Sequence, residues 1–200
     1  MQVTELKKLS EGKYVLYTDY EPYSVVYTSD IRRLKLIVGE EVDTAVLDNF
    51  RKEYLYKRAM NRAVGCIKCT DKCEAELRKK LKEYYCDQDI IDATMNKLKE
   101  YGYIDDLRYS RAYIRSRINK KGFNVISYEL IAKGVPGDII DEAISQSDIP
   151  DEKETIMRVL ERRYDVHDCL EKRDRIIAFF LRKGFKYRDI KLCIDEYTGV

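Results

Sequence analysis

Three cysteines stand close together and are the first candidates for chemistry. Cys66, Cys69 and Cys73 are spaced three and four residues apart, and Cys86 follows nearby. Zinc sites usually pair one C-x2-C knuckle with a second, and iron–sulfur clusters need their own ligand spacing. Because this spacing fits either kind of site only loosely, small residues at a joint between two helices explain it better. We therefore predict no metal and no cofactor, and keep a metal or redox sensor as an alternative.

Two further groups contain residue types that are used in catalysis. His167, the single histidine, stands beside Asp168 and Cys169, but a Cys–His pair needs a third orienting group and a pocket. Asp105 and Asp106 are neighbours at the start of a predicted helix, where carboxylates cap and are stabilised by the helix dipole. The sequence contains neither a P-loop nor a G-x-G-x-x-G motif. We therefore predict no catalytic residue and no bound nucleotide, which means that the protein is not an enzyme.

Basic side chains recur along three predicted helices and form the candidate binding surface. The predicted partner-binding residues are Arg58, Arg62, Arg108, Arg111, Arg115, Arg117, Lys120, Lys121, Arg158 and Arg162. They could contact acidic protein surfaces or DNA phosphates. The alternative is a solvated face held by ion pairs between residues four apart.

The elements that position these side chains change character near residue 44. Residues 2–27 alternate in polarity and are rich in Val, Tyr and Thr, with turns at 11–12 and 19–22, which predicts a three-stranded meander. Residues 29–36 predict a helix, and the helical period dominates from about residue 44 onward. The predicted helix caps are Asp71 with Glu74, Asp87, Asp105, and Asp151 with Glu154.

Internal repetition is the most informative feature of the sequence. Asp-Ile occurs at residues 89, 138 and 189, each preceded eight residues earlier by a leucine, namely Leu81, Leu130 and Leu181. The arginines also recur, with 58, 111 and 158 taken as equivalent and 62, 115 and 162 likewise. This predicts a mainly α fold of three tandem three-helix repeats, helix-turn-helix-like modules stacked into an elongated, curved row. The predicted domains are residues 1–50, 51–104, 105–148 and 149–200.

Composition and charge exclude several classes of protein. Hydrophobic residues make up 44% and charged residues 37% of the 200-residue chain, and its net charge is +2. Residues 1–50 carry six basic against nine acidic residues, whereas residues 51–200 carry 32 against 27. This mild basicity permits a nucleic-acid partner without requiring one. The first residues resemble no signal peptide and the longest apolar run has six residues, so we expect a cytoplasmic protein that binds no membrane.

Several motifs resemble the RecX family. The run Gly102–Tyr109, followed by Ala112-Tyr113, is similar to the joint between the family's first and second repeats. Further similar positions are Glu76-Leu77, Leu81, Lys121-Gly122, Ile126, Glu129-Leu130 and Lys133-Gly134-Val135. Phe123 stands at a usual proline and Cys73 at a usual serine, so Asp71 is expected to cap the helix instead. The resemblance is firm over residues 54–146 and weaker over 152–197, and the N-terminal strands look like the extension of longer members.

The resemblance implies a regulator of the RecA recombinase in DNA repair and homologous recombination. Such a protein binds the RecA–single-stranded-DNA filament and modulates RecA ATP hydrolysis, strand exchange and coprotease activity. The expected partner is the RecA nucleoprotein filament, with weak binding of single- or double-stranded DNA, and the protein itself is expected to be a monomer. The alternative is a helix-turn-helix-like protein that binds DNA directly.

Overall fold

A computed structural model describes residues 1–84, 87–146 and 151–199. These residues form two compact units, Met1–Asp105 and Asp106–Val200, called unit 1 and unit 2 below. The predicted mainly helical fold with a small N-terminal sheet is confirmed. Among the described residues, no helix combines the length and apolarity that crossing a membrane requires.

Unit 1 begins with a three-stranded antiparallel sheet in the order β1-β2-β3, as the alternating sequence predicts. Its strands are β1 (Val3–Ser10), β2 (Lys13–Thr18) and β3 (Glu21–Tyr27). The β2–β3 turn places Asp19 and Tyr20 at φ values of 51° and 68°, the conformation that a tight hairpin turn of two residues requires. Val3, Leu16 and Val26 are fully buried, so one face of the sheet packs on the core of unit 1.

A long helical segment with one irregular turn follows the sheet. After α1 (Thr28–Leu34), α2 (Thr44–Phe50) runs through a π-helical turn, Arg51–Leu55, into α3 (Tyr56–Cys69). In this turn the Tyr56 amide donates to the Arg51 carbonyl, five residues back. Phe50 and Leu55 are both buried although they are five residues apart, so the extra residue keeps α2 and α3 facing the same core.

The helices α4 (Glu74–Lys82) and α5 (Gln88–Glu100) complete unit 1 and pack with α3. Asp87 caps α5 as predicted, because its side chain accepts hydrogen bonds from the Asp89 and Ile90 amides. The predicted cap at Asp71 is wrong: α4 starts at Glu74, and the N-cap is the buried Cys73. The Glu74 carboxylate instead accepts from Arg78 at 2.8 Å and Lys99 at 2.6 Å.

Unit 2 contains the second and third groups of helices. The second group is α6 (Asp106–Arg117), α7 (Phe123–Ala132) and α8 (Gly137–Ser145), which pack on one another. The third group is α9 (Glu152–Arg163), α11 (Arg173–Arg182) and α12 (Tyr187–Thr198), with the short α10 (Val166–Glu171) inserted. As predicted, α6 begins directly after Asp105, and Asp151 caps α9 through the Lys153 amide. The domain boundaries stay predictions.

The two repeats of unit 2 are related by an offset of 50 residues, which corrects the sequence alignment. Gly134 and Gly184 end α7 and α11 with φ values of 91° and 89°, and the next amide returns to Leu130 or Phe180. Phe180 is buried and Leu181 is 45% exposed, so the predicted equivalence of Leu130 with Leu181 is wrong by one residue. The matching Asp-Ile motifs at 138 and 189 are likewise one residue out of register.

The second and third groups meet at a tight backbone contact. The Gly122 amide donates to the Lys183 carbonyl at 2.9 Å, and the Phe123 amide donates to the carboxylate of Glu152. Glu152 is 3% exposed, so a buried carboxylate of α9 binds the first turn of α7. This contact positions the end of α6 beside α9 and α11.

Candidate partner-binding groove

A cleft of 590 Å³ opens in unit 2 where the end of α6 approaches α9 and α11. We call it the basic groove. Five cationic side chains line it: Lys120, Arg158, Arg162, Arg163 and Lys183. The other lining residues are Asn119, Val159, Phe179, Phe180 and Phe185. Among the described residues that line this cleft, none is a carboxylate.

Helical spacing explains why α9 contributes most of the charge. Ile156 and Leu160 are fully buried, so they fix the face of α9 that points to the core. Arg158 and Arg162 are exposed and one turn apart, and therefore lie on the same side of the helix. Arg158 donates to the Asn119 side-chain oxygen at 2.9 Å, which links α9 to the end of α6.

The cations of the groove are available to bind a partner. In the part of the chain that the structure describes, none of the five forms an ion pair. Like charges that converge in a cleft with apolar walls raise the local concentration of counter-charges. The groove is therefore suited to bind an anionic segment of a partner, either carboxylates or phosphates.

Phe179 is an aromatic residue that lines the basic groove among its cations. Its ring packs edge-on against buried Phe180, with centroids 5.3 Å apart. Arg163 and Lys183 lie over the Phe179 ring at 5.6 Å and 5.7 Å from its centroid. Phe179 and Arg163 also line a neighbouring cleft of 390 Å³, together with Lys172, Arg175 and Arg182. The cationic surface therefore continues from the larger cleft into the smaller one.

The structure divides the predicted cluster from Arg108 to Lys121. Lys120 lines the basic groove, whereas Arg117 lies 3.3 Å from Glu129 and Lys121 also binds that carboxylate. Lys121 lowers the pKa of Glu129 by hydrogen bonding to it. Arg117 and Lys121 thus hold α6 and α7 together in an internal network.

The remaining cations of α6 form a separate stripe. Arg108, Arg111 and Arg115 are spaced three and four residues apart, so they follow one side of the helix. The guanidinium of Arg111 donates to the side-chain oxygen of Gln146, and Arg115 is exposed. These three residues stay predicted contacts.

The predicted cations of unit 1 have intramolecular contacts. Arg58 donates both terminal nitrogens to Asp30, at 2.6 Å and 2.8 Å, and the Asp30 side chain is fully buried. The exposed Arg62 stacks on Tyr84, its guanidinium carbon 3.3 Å from the ring centroid. Arg58 therefore stabilises unit 1, a role that the spacing of the arginines did not reveal.

The predicted equivalence of the arginines is wrong. Each arginine stands at a different position relative to a buried residue of its own helix. Arg58 comes one residue before Ala59, and Arg111 comes one residue after Ser110. Arg158 comes two residues after Ile156. A sequence alignment on arginine matched residues that point in different directions. It also missed Arg163, Phe179 and Lys183, although Lys183-Gly184 repeats the Lys133-Gly134 pair of the preceding repeat.

The other candidate groups do not line the groove. Cys66 and Cys69 line a shallow cleft of unit 1 while Cys73 is buried, and Cys86 lies outside the described residues. Over residues 1–84, 87–146 and 151–199, no three potential ligands gather to hold a metal ion. His167 is exposed and lies 3.5 Å from Glu171, whereas burial raises the pKa of Cys169.

The three-helix groups and the basic groove together indicate a helical protein that binds a partner. A model of the second three-helix domain of RecX matches residues 105–144. The regulatory protein RecX of Clostridium perfringens strain SM101 is 33% identical over 92% of this chain and 89% of that relative. The crystal structure of RecX from Lactobacillus salivarius has a TM-score of 0.63 and 27% identity, covering 72% of this chain and 97% of that one.

A second solved structure, the crystal structure of a regulatory protein RecX, has a TM-score of 0.62 and 24% identity. The match covers 98% of this chain and 100% of that one, and it supports the fold. The chain belongs to the RecX family of regulatory proteins. Its role is therefore regulatory.

Proposed function

We propose that this protein regulates the RecA recombinase by binding the RecA–single-stranded-DNA filament. Binding reduces the ATP hydrolysis, strand exchange and coprotease activity of RecA. The protein acts in the cytoplasm as a monomer and performs no chemistry of its own. Its effect comes from favouring one state of the filament over another, since a ligand shifts an equilibrium only through its different affinities for the two states.

The basic groove is the observation that supports this proposal most directly. Five cations that form no ion pair with the described residues converge in it, and a nucleoprotein filament offers both carboxylates and phosphates. The stripe of α6 adds a second basic surface in the same unit. Several modest contacts of this kind combine into high avidity when they engage successive subunits of a polymer.

The experiment is a titration of RecA ATPase activity on single-stranded DNA with variants of the groove. Arg158→Glu combined with Arg162→Glu reverses two lining charges. Arg188→Glu combined with Lys191→Glu is the matched control, because it reverses two exposed charges of α12 outside the groove. We expect the wild-type protein and the control to inhibit RecA equally, and the groove variant to require at least about tenfold more protein, equivalent to about 1.4 kcal/mol of binding.

Two outcomes would contradict the proposal. A wild-type protein that leaves RecA activity unchanged at a twofold excess over RecA removes the regulatory function. A groove variant that inhibits as strongly as the control removes the groove from the interface. Arg111→Ala with Arg115→Ala, measured in the same way, tests the stripe of α6.

Direct binding of DNA is the second candidate function, and the dominance of positive charge in the groove favours it. The salt dependence of binding distinguishes direct DNA binding from binding to the RecA filament. Binding to naked single strands through about five phosphates has a slope of about −3.5 in log affinity against log salt. Filament binding that persists at physiological salt, where naked DNA is released, supports regulation of RecA.

A further inference from the structure

We infer that the basic groove binds a single strand of nucleic acid, with Phe179 stacking on one base and cations on both sides of the ring holding the adjoining phosphates. The inference rests on the proposed function for its biological setting, because the filament contains such a strand. It assigns the groove to the DNA of the filament instead of to the surface of RecA.

Phe179 packs against the edge of the core of the third helical group and still reaches the surface. Its neighbour Phe180 is fully buried and belongs to the core of the third helical group. Phe179 is half-buried and lines two clefts at once. Contact with Phe180 fixes its ring, so little side-chain freedom is lost when a base stacks on the ring.

Both clefts that this ring lines are rich in cations. Arg158, Arg162 and Lys120 lie in the larger cleft, and Arg175 and Arg182 lie in the smaller one. Arg163 and Lys183 lie within 6 Å of the ring itself. The one carboxylate among the described lining residues of the smaller cleft, Asp168, is bound to Lys172 at 2.5 Å. A chain of phosphates can therefore extend from the ring into either cleft and contact cations that form no ion pair with the described residues.

This combination distinguishes a single strand from the other anionic partners. A cationic track interrupted by an aromatic side chain is the pattern by which proteins bind single strands, because every base has a face that can stack. A base inside a duplex is already stacked on its neighbours and cannot cover the ring. An acidic peptide would pair with the arginines and could use the phenylalanine only where it carries an apolar side chain, whereas every nucleotide carries a base that can stack.

The test measures binding in the absence of RecA, so that its result is independent of the ATPase assay. The probe is a fluorescein-labelled thymidine octanucleotide, followed by fluorescence anisotropy at low salt. A fully abasic octamer with the same number of phosphates is the matched ligand, and poly-glutamate of similar charge represents an acidic peptide. The variants are Phe179→Leu, Phe179→Tyr, and Arg162→Gln with Arg163→Gln, with Arg188→Gln and Lys191→Gln as the charge control.

Stacking and charge leave different signatures in this assay. We expect Phe179→Leu to weaken octanucleotide binding at least fivefold, to leave the salt slope unchanged and to leave abasic binding unchanged. Phe179→Tyr should bind like the wild-type protein. The double arginine variant should reduce the magnitude of the salt slope by about 1.4, since each lost phosphate contact on a single strand removes about 0.7.

Three outcomes overturn the inference. The first is equal affinity of the wild-type protein for thymidine and abasic octamers, which needs no variant and stands even if Phe179→Leu fails to fold. The second is equal octanucleotide binding by the wild-type protein and a folded Phe179→Leu variant. The third is poly-glutamate binding as tight as octanucleotide binding at the same salt, which assigns the groove to an acidic protein surface. If any of these occurs while the protein still inhibits RecA, the proposed function is retained and only the single-strand site in the basic groove is rejected.

Discussion

Gly122 and Gly184 lie against each other at the joint between the two repeats of unit 2. A Cβ atom added to Gly122 would stand 2.5 Å from the carbonyl carbon of Gly184 and 2.6 Å from the Phe185 amide nitrogen. Backbone atoms cannot move aside as the end of a flexible side chain can. The absence of a side chain at residue 122 is therefore a condition for packing α7 against the α11–α12 turn.

Gly122→Ala should lower the free energy of unfolding by about 1–3 kcal/mol, because the added methyl group forces the repeats apart. Gly137→Ala is the matched control, since its Cβ would meet no atom within 4 Å, and its stability should change by less than about 1 kcal/mol. Urea unfolding followed by circular dichroism measures both. Equal stability of the two variants would show that the joint is not tightly packed.

Arg58→Ala should destabilise unit 1 by about 3 kcal/mol, because it leaves the buried carboxylate of Asp30 without its bidentate partner. Arg62→Ala, in the same helix, removes an exposed stacking contact and should cost less than about 1 kcal/mol. Urea unfolding compares the two, and hydrogen exchange in α1 locates the loss. A cost for Arg62→Ala equal to that for Arg58→Ala would contradict the structural role of Arg58.

Acid should weaken unit 1 through Asp30. Burial raises the pKa of this carboxyl, but hydrogen bonds from Arg58 and the Tyr27 amide and the charge of Arg58 outweigh it, so the pKa lies below its ordinary value. The resulting stabilisation is present above the unfolded pKa of about 4 and is lost as the pH falls through the folded pKa. The stability difference between the wild-type protein and Asp30→Asn should therefore shrink between pH 6 and pH 2. A constant difference over this range would exclude the effect.

Glu152 should have the opposite pH dependence. Burial raises the pKa of Glu152 against the hydrogen bond from Phe123 and the charge of Lys186. The folded state thus binds the proton more tightly than the unfolded state, and stability falls as the pH rises from about 4.5 to the folded pKa. Glu152→Gln keeps an oxygen acceptor for the Phe123 amide and carries no charge. The stability of Glu152→Gln relative to the wild-type protein should rise between pH 4 and pH 7. Urea unfolding at a series of pH values measures this difference. A difference that does not rise over this range would contradict the raised pKa of Glu152.

The sequence predicted the elements better than their alignment. Alternating polarity located the sheet and the cap residue Asp87 located the start of α5, because both signals are local features of the sequence. The repeats of unit 2 were aligned one residue out of register, since Leu181 resembles Leu130 chemically while Phe180 occupies its place. Only packing distinguishes two adjacent apolar side chains.

The candidate site was predicted in part. Lys120, Arg158 and Arg162 meet in the basic groove, whereas Arg58, Arg117 and Lys121 bind internal carboxylates. A basic residue on a helix has the same appearance in the sequence whether its partner is internal or external. The partner carboxylates, Asp30 and Glu129, lie 28 and 8–12 residues away and on other elements, beyond the reach of helical spacing.

The π-helical turn at Arg51–Leu55 has a consequence for how this chain tolerates length changes. Deleting one residue there would restore regular α spacing and leave α3 facing the same core, because Phe50 and Leu55 would then be four residues apart. Winding all the present residues as a regular α-helix would instead rotate everything after the turn by about 100° relative to α2. Ala59 and Ala63 would then leave the core, and Arg58 could no longer reach Asp30. The extra residue thus joins α2 to α3 in one continuous helical segment. It lets the N-terminal region and the first helical repeat keep their own patterns of buried residues.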